Sequence, residues 1–81
     1  MSASPTGSLA AAVVAQIKAE RAVLGIQLGD LAERVGIDVR TQNRYFKGER
    51  EMTIGMVDRY AQALDIELAT LLARARERQG E

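Results

Sequence analysis

Between Leu28 and Gly48 the chain reads LGDLAERVGIDVRTQNRYFKG, and this stretch leaves few folds open. It predicts two short helices joined by a tight turn. Leu31, Val35, Ile37 and Tyr45 are spaced to pack the two helices together, and Ala32 is small where the second would cross the first. Gly36 supplies the left-handed backbone conformation that ends a helix and turns the chain sharply. Asp38 is a strong cap for the second helix, which runs from Val39 to about Lys47 and stops at Gly48. That helix exposes Arg40, Thr41, Asn43, Arg44 and Lys47, a polar and cationic face.

The flanking sequence extends the pattern to five helices and no strands, an all-α fold. No stretch alternates apolar and polar positions with β-branched residues. Residues 1–7, rich in Ser, Pro, Thr and Gly, read as a disordered tail with little to bury. Ser8 caps a first helix over Leu9 to Leu24, with Val13, Ile17 and Leu24 facing inward and Ala10 and Ala22 filling narrow gaps. Gly25 ends it, and the second helix starts near Leu28 behind Gln27, a weak cap. After a polar loop, Thr53 caps a fourth helix over Ile54 to Leu64, whose inner face is Val57, Tyr60, Ala61 and Leu64. A fifth begins near Leu68, and its charged end, residues 76–81, is expected to fray. The expected domain is therefore 8–75.

Composition narrows the chemistry. At 81 residues there is room for one core, and there is neither cysteine nor histidine. Disulfides, thiolate metal sites and the commonest general base are thereby excluded. No nucleophile–base pair is visible, so no enzyme and no cofactor are expected. The apolar run from Leu9 to Ala15 is far short of the ~20 residues that span a bilayer, and no cationic segment precedes it as in a secretory signal. Formal net charge is +0 and the pI about 6.3, which argues against indiscriminate coating of nucleic acid. Charge is nevertheless concentrated: Arg34, Arg40, Arg44, Lys47 and Arg50 stand against only Asp38 and Glu49. A basic patch on a neutral body suits a site-specific binder.

The two-helix stretch has the layout of a DNA-binding helix-turn-helix, whose second helix enters the major groove. Arg matches guanine O6 and N7 through paired hydrogen bonds, Asn does the same for adenine, and Val39 or the Thr41 methyl can meet a thymine methyl. The candidate base contacts are Val39, Arg40, Thr41, Asn43 and Arg44. The candidate phosphate contacts are Gln27, Leu28, Lys47, Arg50, Thr53 and Gly55, grouped at two helix N-termini and the loop between them. The competing reading of the first set is an ordinary solvated helix face, and of the second a solvated loop, which Glu49 and Glu51 beside Arg50 favour.

From Ile17 to Leu72 the chain resembles the Cro/repressor-type, lambda-repressor-like helix-turn-helix domains of phage and bacterial regulators. The matching text is IKAERAVLGIQLGDLAERVGIDVRTQNRYFKGER and then MVDRYAQALDIELATLL. Ala63-Leu64, Ile66 and Leu71-Leu72 follow the family's pattern in the fourth and fifth helices. Three positions depart from it. Gln42 stands where an aliphatic residue usually faces inward, and an unpaired buried amide there would cost roughly 1–3 kcal/mol. Phe46 replaces a glutamate that usually pairs with the arginine at Arg21, and is expected to cover the Arg21 stem. Gln27 replaces a Ser or Thr cap.

The resemblance implies a sequence-specific, double-stranded-DNA-binding transcriptional regulator in the cytoplasm and on the nucleoid. Relatives bind inverted-repeat operators as homodimers. Leu68, Leu72 and Ala75, extended by Leu9 and Val13, offer a candidate pairing surface, though the same residues suit a core. The alternative is an antitoxin or adaptor that uses this scaffold chiefly for a protein partner.

Overall fold

The computed structural model describes residues 8–80, so the tail expected over residues 1–7 lies outside the described residues, as does Glu81. Five helices follow in order among the described residues: α1 (Leu9–Leu24), α2 (Leu28–Val35), α3 (Val39–Phe46), α4 (Ile54–Ala63) and α5 (Leu68–Gln79). None of them is long and apolar enough to cross a membrane.

The helix boundaries follow from their caps. The Ser8 hydroxyl accepts the Ala11 N–H at 3.0 Å, and the Thr53 hydroxyl accepts that of Met56 at 3.1 Å. Asp38 does the same for Thr41 at 2.7 Å. Gln27 makes no side-chain capping bond, as its residue type suggests. At the other ends, Gly25 and Gly36 adopt φ of 70° and 91°, and each returns its N–H to carbonyls of the preceding turn.

The core lies where α1, α2, α4 and α5 meet, built from Ala12, Val13, Ile17, Ile26, Leu31, Val35, Val57, Tyr60, Ala61, Leu64, Leu71 and Ala75. Ile37, Phe46, Leu68 and Leu72 are half-buried against it. Burial of this apolar surface is the main driving force for the fold, at about 25 cal/mol per Å² removed from water.

Several inward-facing assignments change. Leu24 is 53% exposed and Ala10 and Ala22 lie at the surface, while Ala12 and Gln16 are buried. The helix LAAAVVAQIKAERAVL has apolar residues on every side, so its sequence does not fix which face turns inward. Ala75, expected on a pairing surface, is 0% exposed and belongs to the core. The reason is that α5 continues to Gln79 instead of ending near Ala75. Arg74 and Arg78, one turn apart, hold it against α1: Arg74 Nη1 donates to Glu20 Oε2 at 2.7 Å, and Arg78 Nε to Gln16 Oε1 at 3.0 Å. Gln16 Nε2 also donates to Glu20 Oε2, at 2.7 Å. Burial pushes the Glu20 carboxyl upward, but the hydrogen bonds from Arg74 and Gln16 outweigh it and hold the group below its usual range.

Candidate nucleic-acid interface

The helix α3 sits on its neighbours by one side only. Gln42 and Tyr45 are buried, Thr41 and Phe46 half-buried, and Val39, Arg40, Asn43, Arg44 and Lys47 exposed. An eight-residue helix with so narrow an inner face leaves most of its side chains free, and those are the residues with base-reading chemistry. Of the five expected base contacts, Thr41 is the least accessible. Its N–H is already committed to Asp38.

Electrostatics at the start of α3 favour a charged cap. The hydrogen bond from the Thr41 backbone to Asp38 lowers the carboxyl's pKa, with help from Arg40 and Arg44. Asp38 thus stays ionised at neutral pH and offsets part of the positive charge at this end of the helix.

The expected phosphate contacts occupy three places. Gln27 and Leu28 are exposed, and the first turn of α2 has no side-chain cap competing for its N–H groups. The Leu28 carbonyl is joined to the middle of α3 by the Gln42 amide, at 2.8 Å. The structure thereby brings the α2 N-terminus and α3 together. Lys47 and Arg50 line one groove of about 900 Å³ with Tyr45, Phe46 and Ile54. The Arg50 guanidinium lies 5.7 Å from the centre of the Tyr45 ring, a contact that holds the loop against the end of α3. Thr53 and Gly55 are exposed at the start of α4. A Cβ on Gly55 would meet only the Thr53 hydroxyl, at 3.8 Å. Internal packing therefore does not require glycine there.

Gln42 and Arg21 find partners that the sequence does not announce. Gln42 is 0% exposed, yet its amide is paired at both ends: Nε2 donates to the Leu28 carbonyl, and Oε1 accepts the Tyr60 hydroxyl at 2.9 Å. The expected penalty for an unpaired amide does not arise. Arg21 donates to the Ile26 carbonyl at 2.7 Å. The Phe46 ring is met by Lys18 Nζ, 5.8 Å from its centre, and by the Tyr60 ring at 6.0 Å.

One link behind the turn lacked any local signal. Arg59, on α4, reaches back to the turn: its Nε and Nη2 donate to the Val35 carbonyl at 3.1 and 2.7 Å. It ties the end of α2 to the helix whose N-terminus is a candidate phosphate site. The sequence offers no hint, since the partner is a backbone carbonyl 24 residues away.

A model of the helix-turn-helix family matches residues 17–71, well over half of the chain. Comparison with curated proteins and with solved structures finds no match. The family is one of DNA-binding regulatory domains and is not typically enzymatic. With α2 and α3 joined at Gly36, the cationic side of α3 outward and three further helices behind, the chain belongs to the helix-turn-helix family in its Cro/repressor form.

Proposed function

We propose that the protein is a sequence-specific regulator that reads double-stranded DNA with α3 in the major groove. One observation supports this above others: α3 buries only what holds it in place and leaves Val39, Arg40, Asn43 and Arg44 exposed along one accessible side. Arg40 and Arg44 supply guanine recognition, Asn43 adenine recognition and Val39 apolar contact. Thr41 contributes through its methyl. Gln27, Leu28, Lys47, Arg50, Thr53 and Gly55 hold the sugar-phosphate backbone on either side.

One such helix reads only a few base pairs, so two copies on an inverted repeat, with recognition helices about 34–36 Å apart, form the working unit. Leu68 and Leu72, half-buried, and Leu9, at 36% exposure, are the residues for that contact.

Selection of bound sequences from a random duplex library, followed by titration at several salt concentrations, tests the reading. An inverted-repeat consensus is expected. With about six phosphates contacted per dimer, affinity should fall ~10³-fold between 50 and 200 mM salt. Affinity that is flat across that range, with no enriched sequence, would refute it and favour an adaptor that engages a protein.

A further inference from the structure

The Gln42 amide is a polar group in an otherwise apolar place, and it touches three elements at once. It belongs to α3, donates to the first carbonyl of α2 at 2.8 Å and accepts from Tyr60 of α4 at 2.9 Å. Gln42 and Tyr60 are both 0% exposed. Burial pushes the Tyr60 hydroxyl above its usual pKa, in keeping with its role as donor to Gln42.

Apolar packing alone would not give this geometry. Contact between hydrophobic side chains is nearly non-directional and tolerates small rotations of one helix on another. Hydrogen bonds at these distances do not tolerate them, because their strength falls steeply with angle. A leucine at position 42 would hold α3 in the core but would not set its rotation or its register along α2. Both neighbours of Gln42, Thr41 and Asn43, are candidate base contacts. The Leu28 carbonyl lies in the first turn of α2, and Tyr60 stands on the helix that begins at Thr53. The two bonds therefore connect the middle of α3 to both helices whose starts are candidate phosphate sites.

We propose that Gln42 is a positioning residue: its hydrogen bonds to Leu28 and Tyr60 fix α3 relative to the phosphate-holding helices and so set base selectivity instead of overall affinity. This rests on the reading of α3 given under Proposed function. A buried polar group used for specificity in this way has precedents where a single amide fixes helix register.

The test compares the wild type with Gln42→Leu and Tyr60→Phe. Each is titrated, below its melting transition and at one salt concentration, against the selected duplex and a random-sequence duplex of equal length. The ratio of the two affinities should fall roughly tenfold in Gln42→Leu, about 1.4 kcal/mol. It should fall less in Tyr60→Phe, which removes one oxygen. Affinity for the random duplex should stay within about twofold, since tenfold is the unit of effect sought. A merely destabilised protein would lose folded fraction for both duplexes alike and keep the ratio. An unchanged ratio in a folded variant overturns the proposal. If Gln42→Leu fails to fold, Tyr60→Phe decides alone.

A wild type that prefers no duplex would defeat the reading of α3 itself. The selectivity claim would fall with it, and amide exchange of the free protein then isolates the positioning claim. Exchange in α3 should accelerate in Tyr60→Phe relative to α1, and equal protection in both helices would refute it.

Discussion

Replacing Gly36 with alanine should be more damaging than the same change at Gly25, although both glycines end helices in the left-handed region. The backbone cost is common to both: φ is 91° at Gly36 and 70° at Gly25, and an L-residue there costs about 1–2 kcal/mol. The surroundings differ. A Cβ on Gly25 would meet nothing within 4 Å, whereas one on Gly36 would lie 2.6 Å from Arg59 Nη2. The guanidinium is the mobile end of an exposed side chain and can swing aside, so the steric term itself is small. What is lost is its grip on the Val35 carbonyl, made at 2.7 and 3.1 Å. A hydrogen bond from a charged donor is worth about 1.5–3 kcal/mol when well formed, and solvent around Arg59 reduces this to about 1. Gly36→Ala should then cost about 2–3 kcal/mol against about 1–2 for Gly25→Ala. For a domain of this size the difference is a gap of about 4–8 °C in Tm. Thermal denaturation followed by circular dichroism reads it directly. In an Arg59→Ala background, Gly36→Ala should cost no more than Gly25→Ala. Equal losses at the two glycines, or strict additivity of Gly36→Ala with Arg59→Ala, would refute the reasoning.

Arg44→Ala should relax preference at one base position of each half-site by about 1–3 kcal/mol, whereas Arg50→Ala should weaken binding to all sequences and flatten the salt dependence; competition binding and a salt titration separate the two. The lowered pKa of Asp38 means that its charged cap stabilises the fold above the unfolded carboxylate range, near 3.8, and that this contribution is lost as pH falls through the still lower folded value. The Tm of the wild type should accordingly fall more than that of Asp38→Asn, which keeps the cap without titrating, in melts between neutral and strongly acid pH. Ala75→Asp should abolish the cooperative transition by burying an unpaired carboxylate. Leu72→Glu should leave the folded monomer detectable and lower the apparent mass of the DNA-bound complex in sedimentation.

The parts legible in the sequence are those determined by neighbouring residues. Ser8, Asp38 and Thr53 cap helices through bonds three residues away. Gly25 and Gly36 end helices for reasons confined to their own backbone. The exposed side of α3 was legible because a polar face and a small apolar face alternate within two turns. What stayed hidden depends on contacts distant along the chain. Gln42 looked like a liability because its partners lie 14 and 18 residues away, one of them a main-chain carbonyl that no side-chain pattern reveals. The charged end of α5 looked like a fraying tail because Gln16 and Glu20, which hold it, lie at the other end of the chain. The rotation of α1 was illegible for a different reason: alanines all round the helix leave no polar side to mark the outside.

The Arg74–Glu20 and Arg78–Gln16 bonds span 54 and 62 residues, and this affects how the protein is made. Val13 and Ile17 on α1 are sealed only when Leu71 and Ala75 arrive. Until that point in synthesis, α3 has its local partners but α1 lacks the helix that packs along it. Closing a loop of this length is entropically slow to nucleate compared with forming the short α2–α3 pair. The α2–α3 pair is therefore expected to form before the α1–α5 contact. A chain truncated before residue 71 should leave Val13 and Ile17 without their α5 neighbours and be cleaved faster than the full chain in limited proteolysis. The covering of α1 thus depends on α5, far along the chain from the helix-turn-helix.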